Sequence, residues 1–347
     1  MKKLILFFAI LALAIVACQD NSEEATPTQE TLSVDMSDFY VYTDDDLSSR
    51  SATASNNDKC YSMKVLNKQL DENPGLYKKM YNIEKHTRTV ISLKGKPTKP
   101  GGGNGGGGGT TPTPYDGTIN IPVYVYVIYS NASQNISDAQ VNSQISVLNA
   151  DFNDTNYNDV PAEFQGVGAN IDINFTLATI DRQANSTTSW GTNNAVKSAY
   201  PAVPGHLTIW VANIGGGILG YAQFPGGNAS TDGVVISPQY FGTTGTAQAP
   251  FDKGRTATHE VGHWLNLRHI WGDGRCKQDD FVADTPSSDG PNYGCPSYPT
   301  VNCRSNDMTM NYMDYTDDAC MNMFTLGQKD RMRAIFASGG ARENFVQ

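Results

Sequence analysis

Thr258-His259-Glu260-Val261-Gly262-His263-Trp264-Leu265-Asn266-Leu267-Arg268-His269 holds three of the five histidines in the chain. Residues four apart share one face of a helix, so His259 and His263 present two imidazoles to one ion. Glu260 follows the first of them and stands beside the site without having to bind. A helix continued for six residues past His263 would carry His269 to the far side, so His269 joins the others only if the helix stops first. Asn266 tolerates the left-handed conformation that ends helices. The spacing predicts a helix, a sharp turn and a third histidine returning to the ion. That describes a three-histidine zinc site with a fourth position open for water.

The chemistry follows from the ligands. Zinc lowers the pKa of bound water to about 7 and polarises a carbonyl. Glu260 is placed to take a proton from that water and pass it to a leaving amine. The expectation is peptide hydrolysis without a covalent intermediate, with zinc as the catalytic cofactor and proteins or peptides as substrates. The alternative is a catalytically inactive, zinc-containing surface binding lipoprotein, against which the presence of Glu260 argues.

The remainder of the 347-residue chain divides by composition. Residues 1–17 read as an export signal: Lys2 and Lys3, then an apolar run from Leu4 to Ala17, too short for a membrane span. It ends in Ile15-Val16-Ala17-Cys18, which resembles the bacterial lipoprotein box and implies lipidation of Cys18. The expected location is an outer-membrane lipoprotein, or the cell surface or medium, with membrane contact only through that lipid. Residues 18–58 lack apolar periodicity and read as a disordered acidic tether. Across 59–96, Met63, Leu66 and Leu70, then Leu76, Met80 and Ile83, fall at helical spacing on either side of Asn73-Pro74-Gly75. Residues 97–114 form a Gly- and Pro-rich linker. The folded domain is expected over 115–347.

Charge supports this division. Residues 51–114 carry ten bases and four acids, and 115–347 carry twelve bases and twenty-two acids. The acidic balance excludes a nucleic-acid surface. It also sets a basic segment before an acidic domain on which it can dock. A monomer is expected. Within the domain, Ile119, Ile121, Val123, Val125 and Val127 alternate as a strand, as do Ile171, Ile173, Phe175 and Leu177. His206–Ile214, Gly220–Phe224 and Gly233–Ile236 read as further strands. Ser137-Asp138-Ala139-Gln140 and Thr325-Leu326-Gly327-Gln328 read as capping boxes opening helices.

The histidine stretch, with Trp264 and Ile270-Trp271-Gly272-Asp273 after it, resembles the pappalysin family of metzincin zinc metalloendopeptidases in its bacterial branch. Asn266 stands where many metzincins carry glycine. Asn311-Tyr312-Met313-Asp314-Tyr315 resembles the family's methionine turn, which makes Met313 the methionine under the metal and Tyr315 a tyrosine that approaches the zinc or the oxyanion. The resemblance runs from about Tyr115 to Ala337. It implies an α+β fold: a twisted mixed sheet with helices in an upper subdomain, the active-site helix, and a loop-rich, disulfide-bonded lower subdomain. In that fold Gly220, Tyr221 and Ala222 form the substrate rim, to which an extended peptide adds as a strand.

Cys276, Cys295, Cys303 and Cys320 allow three pairings in an exported protein, or a second metal cluster. The resemblance favours Cys276 with Cys303 and Cys295 with Cys320. Asp279, Asp280, Asp284 and Thr285 are calcium candidates, since related enzymes are calcium-stabilised and dense oxygens in an irregular loop suit that ion. Lys59-Cys60-Tyr61-Ser62-Met63 resembles the cysteine switch of family prosegments, in which a thiolate fills the open zinc position. The family commonly has glycine where Tyr61 stands. The other reading of Cys60 is an ordinary unpaired thiol. Asp317 and Asp318 follow the methionine turn and are placed to favour a basic side chain just beyond the scissile bond.

Overall fold

A computed structural model describes residues 33–43, 60–94, 111–156 and 159–346. The export signal, Cys18, the tether over 18–32 and 44–58, and the linker over 97–110 lie outside the described residues. Described residues from Val34 onward belong to one compact unit.

The sheet is built on β1 (Ile119–Tyr129). Its alternating Ile119, Ile121, Val123, Val125 and Val127 are fully buried on one face, each contributing roughly 1.5–3 kcal/mol of apolar transfer. β2 (Ile173–Ala184) lies parallel to it on the outer side. β3 (Leu207–Ala212) and β5 (Val234–Ile236) continue the parallel sheet, and β4 (Gly220–Ala222) closes it antiparallel to β5. The order is β2-β1-β3-β5-β4, a mixed sheet whose antiparallel edge strand is the expected substrate rim. β2 starts two residues later than its alternation suggests and runs past Leu177, its outer half partly exposed because it forms the other edge.

Two helices cover the apolar face: α3 (Asp138–Phe152), with Val141, Leu148 and Phe152 inward, and α5 (Arg255–Trp264), which carries the histidine pair. The box expected at α3 is half formed. Ser137 accepts from Gln140 N–H at 3.2 Å, but the Gln140 side chain turns away to donate to the carbonyls of Pro238 and Phe241. It ties the loop before α5 to α3. At α6 (Leu326–Ala334) both halves of the box form. Its first turn is also held by Asp284, whose carboxylate accepts from Thr325 Oγ1 and Gly327 N–H. The loop-rich lower part is bridged by Cys276–Cys303 and Cys295–Cys320, the pairing the resemblance implied.

Before the domain come α1 (Ser62–Glu72) and α2 (Gly75–Leu93). Both pack on the domain rather than standing apart. The tether expectation does not hold for residues 33–43, which take a defined place beside these helices. Phe39 packs on Tyr81 and Phe281, and Tyr40 donates its hydroxyl to the carbonyls of Gly272 and Asp279. Aromatics at positions 39 and 40, rather than periodicity, hold this strap. The domain begins slightly before Tyr115, since Thr113 and Ser338 exchange hydrogen bonds. Short α4 (Ala195–Ala199) lies on the other face of the sheet.

Candidate metal centre

α5 ends as its sequence requires. Leu265 caps it, and Asn266 takes φ 75°, the left-handed turn that reverses the chain. His259, His263 and His269 then converge: His263 Nε2 lies 3.1 Å from Nε2 of His259 and of His269. Their other nitrogens are all engaged. His259 Nδ1 meets Tyr312 O at 2.7 Å, His263 Nδ1 meets Leu267 O at 2.8 Å, and His269 Nδ1 pairs with Asp273. Two carbonyls and the Asp273 carboxylate as acceptors fix the proton on Nδ1 and turn each Nε2 lone pair inward, as metal-ligating imidazoles require. Burial, then the neighbouring His269 and His259, pushes the His263 pKa well below the usual range. With Cys60 Sγ the three histidines make a buried group whose ligand atoms lie within 4.8 Å of one another. The donor set of three imidazoles and a thiol fits a tetrahedral metal.

Met313 lies under this group and is fully buried. A side chain at Gly262 would place its Cβ 2.4 Å from Met313 Sδ, so glycine is needed where the turn passes beneath the helix. Met313 O accepts from Ile270 N–H at 3.3 Å, holding the loop that carries His269. Trp271 stacks on His269 with ring centroids 4.3 Å apart. Tyr315 packs against His269 at 4.9 Å and donates its hydroxyl to Cys60 O at 3.2 Å.

Glu260 is buried beside the group, and burial pushes its carboxyl up to about 7 against the opposing Ser62, Cys60 and Lys197. Ser62 Oγ donates to its Oε2 at 2.6 Å and Cys60 Sγ to the same oxygen at 3.4 Å. Ser62 Oγ also accepts from Ala222 N–H at 2.7 Å, while Tyr61 N–H donates to Gly220 O at 3.1 Å. Cys60 to Ser62 thus lies along the rim strand β4 and across the histidine group. Tyr61 takes φ −109°, an ordinary value for any residue, so glycine is not required after this cysteine.

A cavity beside Glu260 is lined by Phe251, Thr316, Asp318 and Met321 among others. Asp318 Oδ2 accepts from the N–H groups of Lys253 and Arg255 at 2.9 and 3.1 Å, and burial pushes its carboxyl up to about 6. Asp317 O and N–H are taken up by Cys320 and Gly294. The calcium candidates do not share one function. Asp284 is committed to α6, and Thr285 Oγ1 donates to Asp280 Oδ1 at 2.8 Å. Asp279 Oδ1 accepts from Phe281 N–H, whereas Asp280 Oδ2 is buried with no hydrogen-bond partner.

Several residues escape sequence reasoning. Ser62 sits one place past a cysteine that already had a role. Asp273 was readable only as the residue four after His269. Glu84 stands four after Met80, on the buried face of α2, where a charge is unexpected. Its carboxylate accepts from Arg331 Nη1 and Nη2 at 3.0 and 2.8 Å, and from Arg88 Nε at 2.8 Å.

Comparison with known proteins places this geometry. Residues 212–337 match the model of a peptidase family described as Pregnancy-associated plasma protein-A. Extracellular metalloprotease 1 of Coccidioides posadasii is 36% identical over 238 residues, covering 63% of this chain and 77% of that protein. Mature mirolysin of Tannerella forsythia, solved with a cleaved peptide, is 47% identical, with 67% of this chain and 96% of that one covered and a TM-score of 0.64. A promirolysin mutant of the same organism covers 83% of this chain and 96% of its own, at 39% identity and a TM-score of 0.68. The chain belongs to the pregnancy-associated plasma protein-A, or pappalysin, family of metallopeptidases.

Proposed function

We propose that the protein is an exported zinc endopeptidase made as a latent precursor. The observation that carries this reading is the convergence of three Nε2 atoms beside Glu260, with Cys60 laid over them. His259, His263 and His269 would hold the zinc. The ion supplies a Lewis acid that acidifies water and polarises the scissile carbonyl. Glu260 takes up the proton lost by the attacking water at its carboxylate and delivers it to the departing amine. Burial, which raises its pKa towards neutrality, suits both halves of that task. Tyr315, whose hydroxyl reaches the Cys60 carbonyl, would donate to the substrate carbonyl in its place. Gly220 O and Ala222 N–H of β4, now used by Tyr61 and Ser62, would pair with an extended substrate backbone.

In the precursor, residues 60–94 act as the prosegment. Cys60 occupies the open ligand position, and Ser62 holds Glu260 and the rim strand together. Burial and the Glu260 carboxylate push the Cys60 thiol pKa up, so a thiolate there depends on an adjacent cation. Asp318 in the wall of the cavity beside Glu260 favours a basic side chain beyond the scissile bond. Residues 1–17 direct export with lipidation at Cys18, in keeping with relatives named as extracellular. The inactive binding lipoprotein is the weaker reading, because it leaves the buried Glu260 without a role. Glu260→Gln tests the assignment: processed enzyme carrying it should lose at least about a thousandfold in kcat on a peptide substrate. Undiminished cleavage would reject the reading.

A structural calcium near Asp280 is the finer part of the proposal. Its buried Oδ2 is an oxygen without a hydrogen-bond partner, and burial pushes the carboxyl well up despite the nearby Arg331. EGTA should lower the Tm of the zinc-loaded protein by several degrees, with recovery on adding calcium. An unchanged Tm counts against the site.

A further inference from the structure

We infer that the footprint of α2 on the domain is a helix-docking exosite in the processed enzyme, taking a basic amphipathic helix with one glutamate on its apolar face from a protein substrate. The inference rests on the reading that residues 33–94 are released on activation.

α2 presents Leu76, Met80, Glu84, Thr87 and Val90 inward, one residue per turn on a single face. Four of the five meet partners on the domain; the Thr87 hydroxyl is buried without a hydrogen-bond partner. Leu76 and Met80 join a cluster with Phe224, and Val90 packs on Ala334 and Ala337. The helix comes so close at Gly226 that an added Cβ there would lie 3.0 Å from Ile83 Cδ1. Glu84 enters a socket where Arg331 binds it through both terminal nitrogens, and the two residues are only 3% and 2% exposed. A planar guanidinium gripping a carboxylate in this way selects for geometry as well as charge.

The socket keeps its donors when α2 leaves. Arg331 loses its carboxylate acceptor and keeps the Asn266 carbonyl at 3.4 Å from Nη2, while its Nε is already buried without a hydrogen-bond partner. Arg268 Nη1 is likewise buried without a hydrogen-bond partner, and the strap carbonyl of Tyr40 that its Nη2 uses would leave as well. Both guanidinium groups lie over the Phe281 ring, at 5.5 and 4.8 Å from its centroid. Asp280, which also faces Arg331, is buried against Thr285 and Val282 and belongs to its own loop. The domain otherwise carries twenty-two acids against twelve bases, so a generally acidic ligand is repelled. α2 shows what is admitted: over Gly75–Leu93 it has four bases and one acid, and that acid is the one turned inward. A groove of this kind read by helix-spaced anchors is a common recognition mode.

The footprint lies on α6 and reaches Phe224, which packs on His263 at 5.2 Å. The rim groups Gly220 O and Ala222 N–H are taken by Tyr61 and Ser62 rather than by α2, so docking there leaves the rim strand free. The test uses enzyme obtained by self-processing of the full chain, checked by mass spectrometry for loss of residues 33–94. A short fluorogenic peptide is compared with the same peptide joined to residues 75–94 through Gly/Ser linkers of two lengths. The tethered helix should lower KM roughly tenfold or more with at least one linker, kcat staying the same, because binding raises the effective substrate concentration. Glu84→Gln in the tethered helix should remove most of that gain on wild-type enzyme. Arg331→Gln in the enzyme should abolish the KM difference between tethered and short peptides, a ratio that is read apart from any change in short-peptide cleavage transmitted through the Asn266 carbonyl that Arg331 Nη2 also reaches. Equal KM for tethered and plain peptides with both linkers overturns the exosite, as does a gain indifferent to Glu84→Gln. Retention of residues 33–94 after processing also overturns it, yet leaves the peptidase assignment intact. Failure of the full chain to process itself or to cleave any protein sinks the peptidase assignment instead; anisotropy of a labelled 75–94 peptide, with and without Glu84→Gln, on the chain cut in the linker by an added protease and freed of residues 33–94, then decides the exosite alone.

Discussion

The two ends of residues 60–94 hold the domain by different physics. At one end Cys60 and Ser62 reach Glu260 and the rim strand within hydrogen-bond distance, beside the histidine group, using sulfur, a hydroxyl and backbone. At the other, Glu84 is buried between Arg331 and Arg88 and flanked by apolar contacts of α2. On the proposed reading the first end is a plug that depends on the metal, whereas the second is an anchor that does not. An inhibitory segment built this way can be cut loose at one end while still held at the other, so loss of the plug and loss of docking are separable events.

The anchor should show the larger single effect. A buried ion pair adds little when compared with a well-packed apolar pair, but removing one partner leaves the other charged and stranded, at a cost of about 3–5 kcal/mol. Glu84→Gln should therefore expose α2 to hydrogen exchange about a hundredfold or more faster in the precursor. Changing both partners, Glu84→Leu with Arg331→Met, should restore much of the protection. If Glu84→Gln leaves α2 protection within twofold of wild type, the anchor is apolar packing alone and the contrast between the two ends fails.

The plug should show a smaller and differently placed effect. Cys60→Ser removes the soft ligand while keeping Ser62 on Glu260 and α2 on α6. Self-processing should run about tenfold faster, equivalent to ~1.4 kcal/mol, with α2 exchange unchanged. The measurement is the time course of precursor conversion at fixed zinc. Latency equal to wild type would make Ser62 and the backbone pairing the whole of the plug.

The contrast also explains what the sequence revealed. The metal site was legible because ligand chemistry demands particular residue types at particular spacings: His259, His263, the Asn266 turn and His269 leave few alternatives. Strands β1 and β5 and the last helix were legible from periodicity and caps. The disulfide pairing was implied by resemblance, not by spacing. The anchor was hidden because periodicity treats Glu84 as an interruption of an apolar face, and its partner Arg331 lies 247 residues on. The bulk charge argument also pointed the wrong way round at the decisive contact. The segment is basic and the domain acidic, but the buried pair sets an acid of the segment against a base of the domain. Among the described residues the pair of Lys94 with Asp330 follows the expected sense. Residues 33–43 were unreadable for a related reason: Phe39 and Tyr40 bind through partners far along the chain.

Acid should weaken the anchor selectively, and this is the smallest effect to measure. Arg331 and Arg88 overcome the burial of Glu84 and hold its carboxyl down at about 2, below the ordinary value of 4.5. A depressed folded value means that the stabilisation is fully present above the ordinary value. It is lost as pH falls from there through the folded value, by roughly 3 kcal/mol in all. Asp38, on the far side of Arg88, is exposed and contributes less. Asp280, facing Arg331, is pushed in the opposite direction by burial and does not lose stabilisation in this window. Between pH 4.5 and 3 the α2 protection of the wild-type precursor should therefore fall, while that of Glu84→Gln, already low, should stay flat. Parallel curves for the two proteins would mean that Glu84 titrates no differently in the folded chain, and the anchor would lose its electrostatic part.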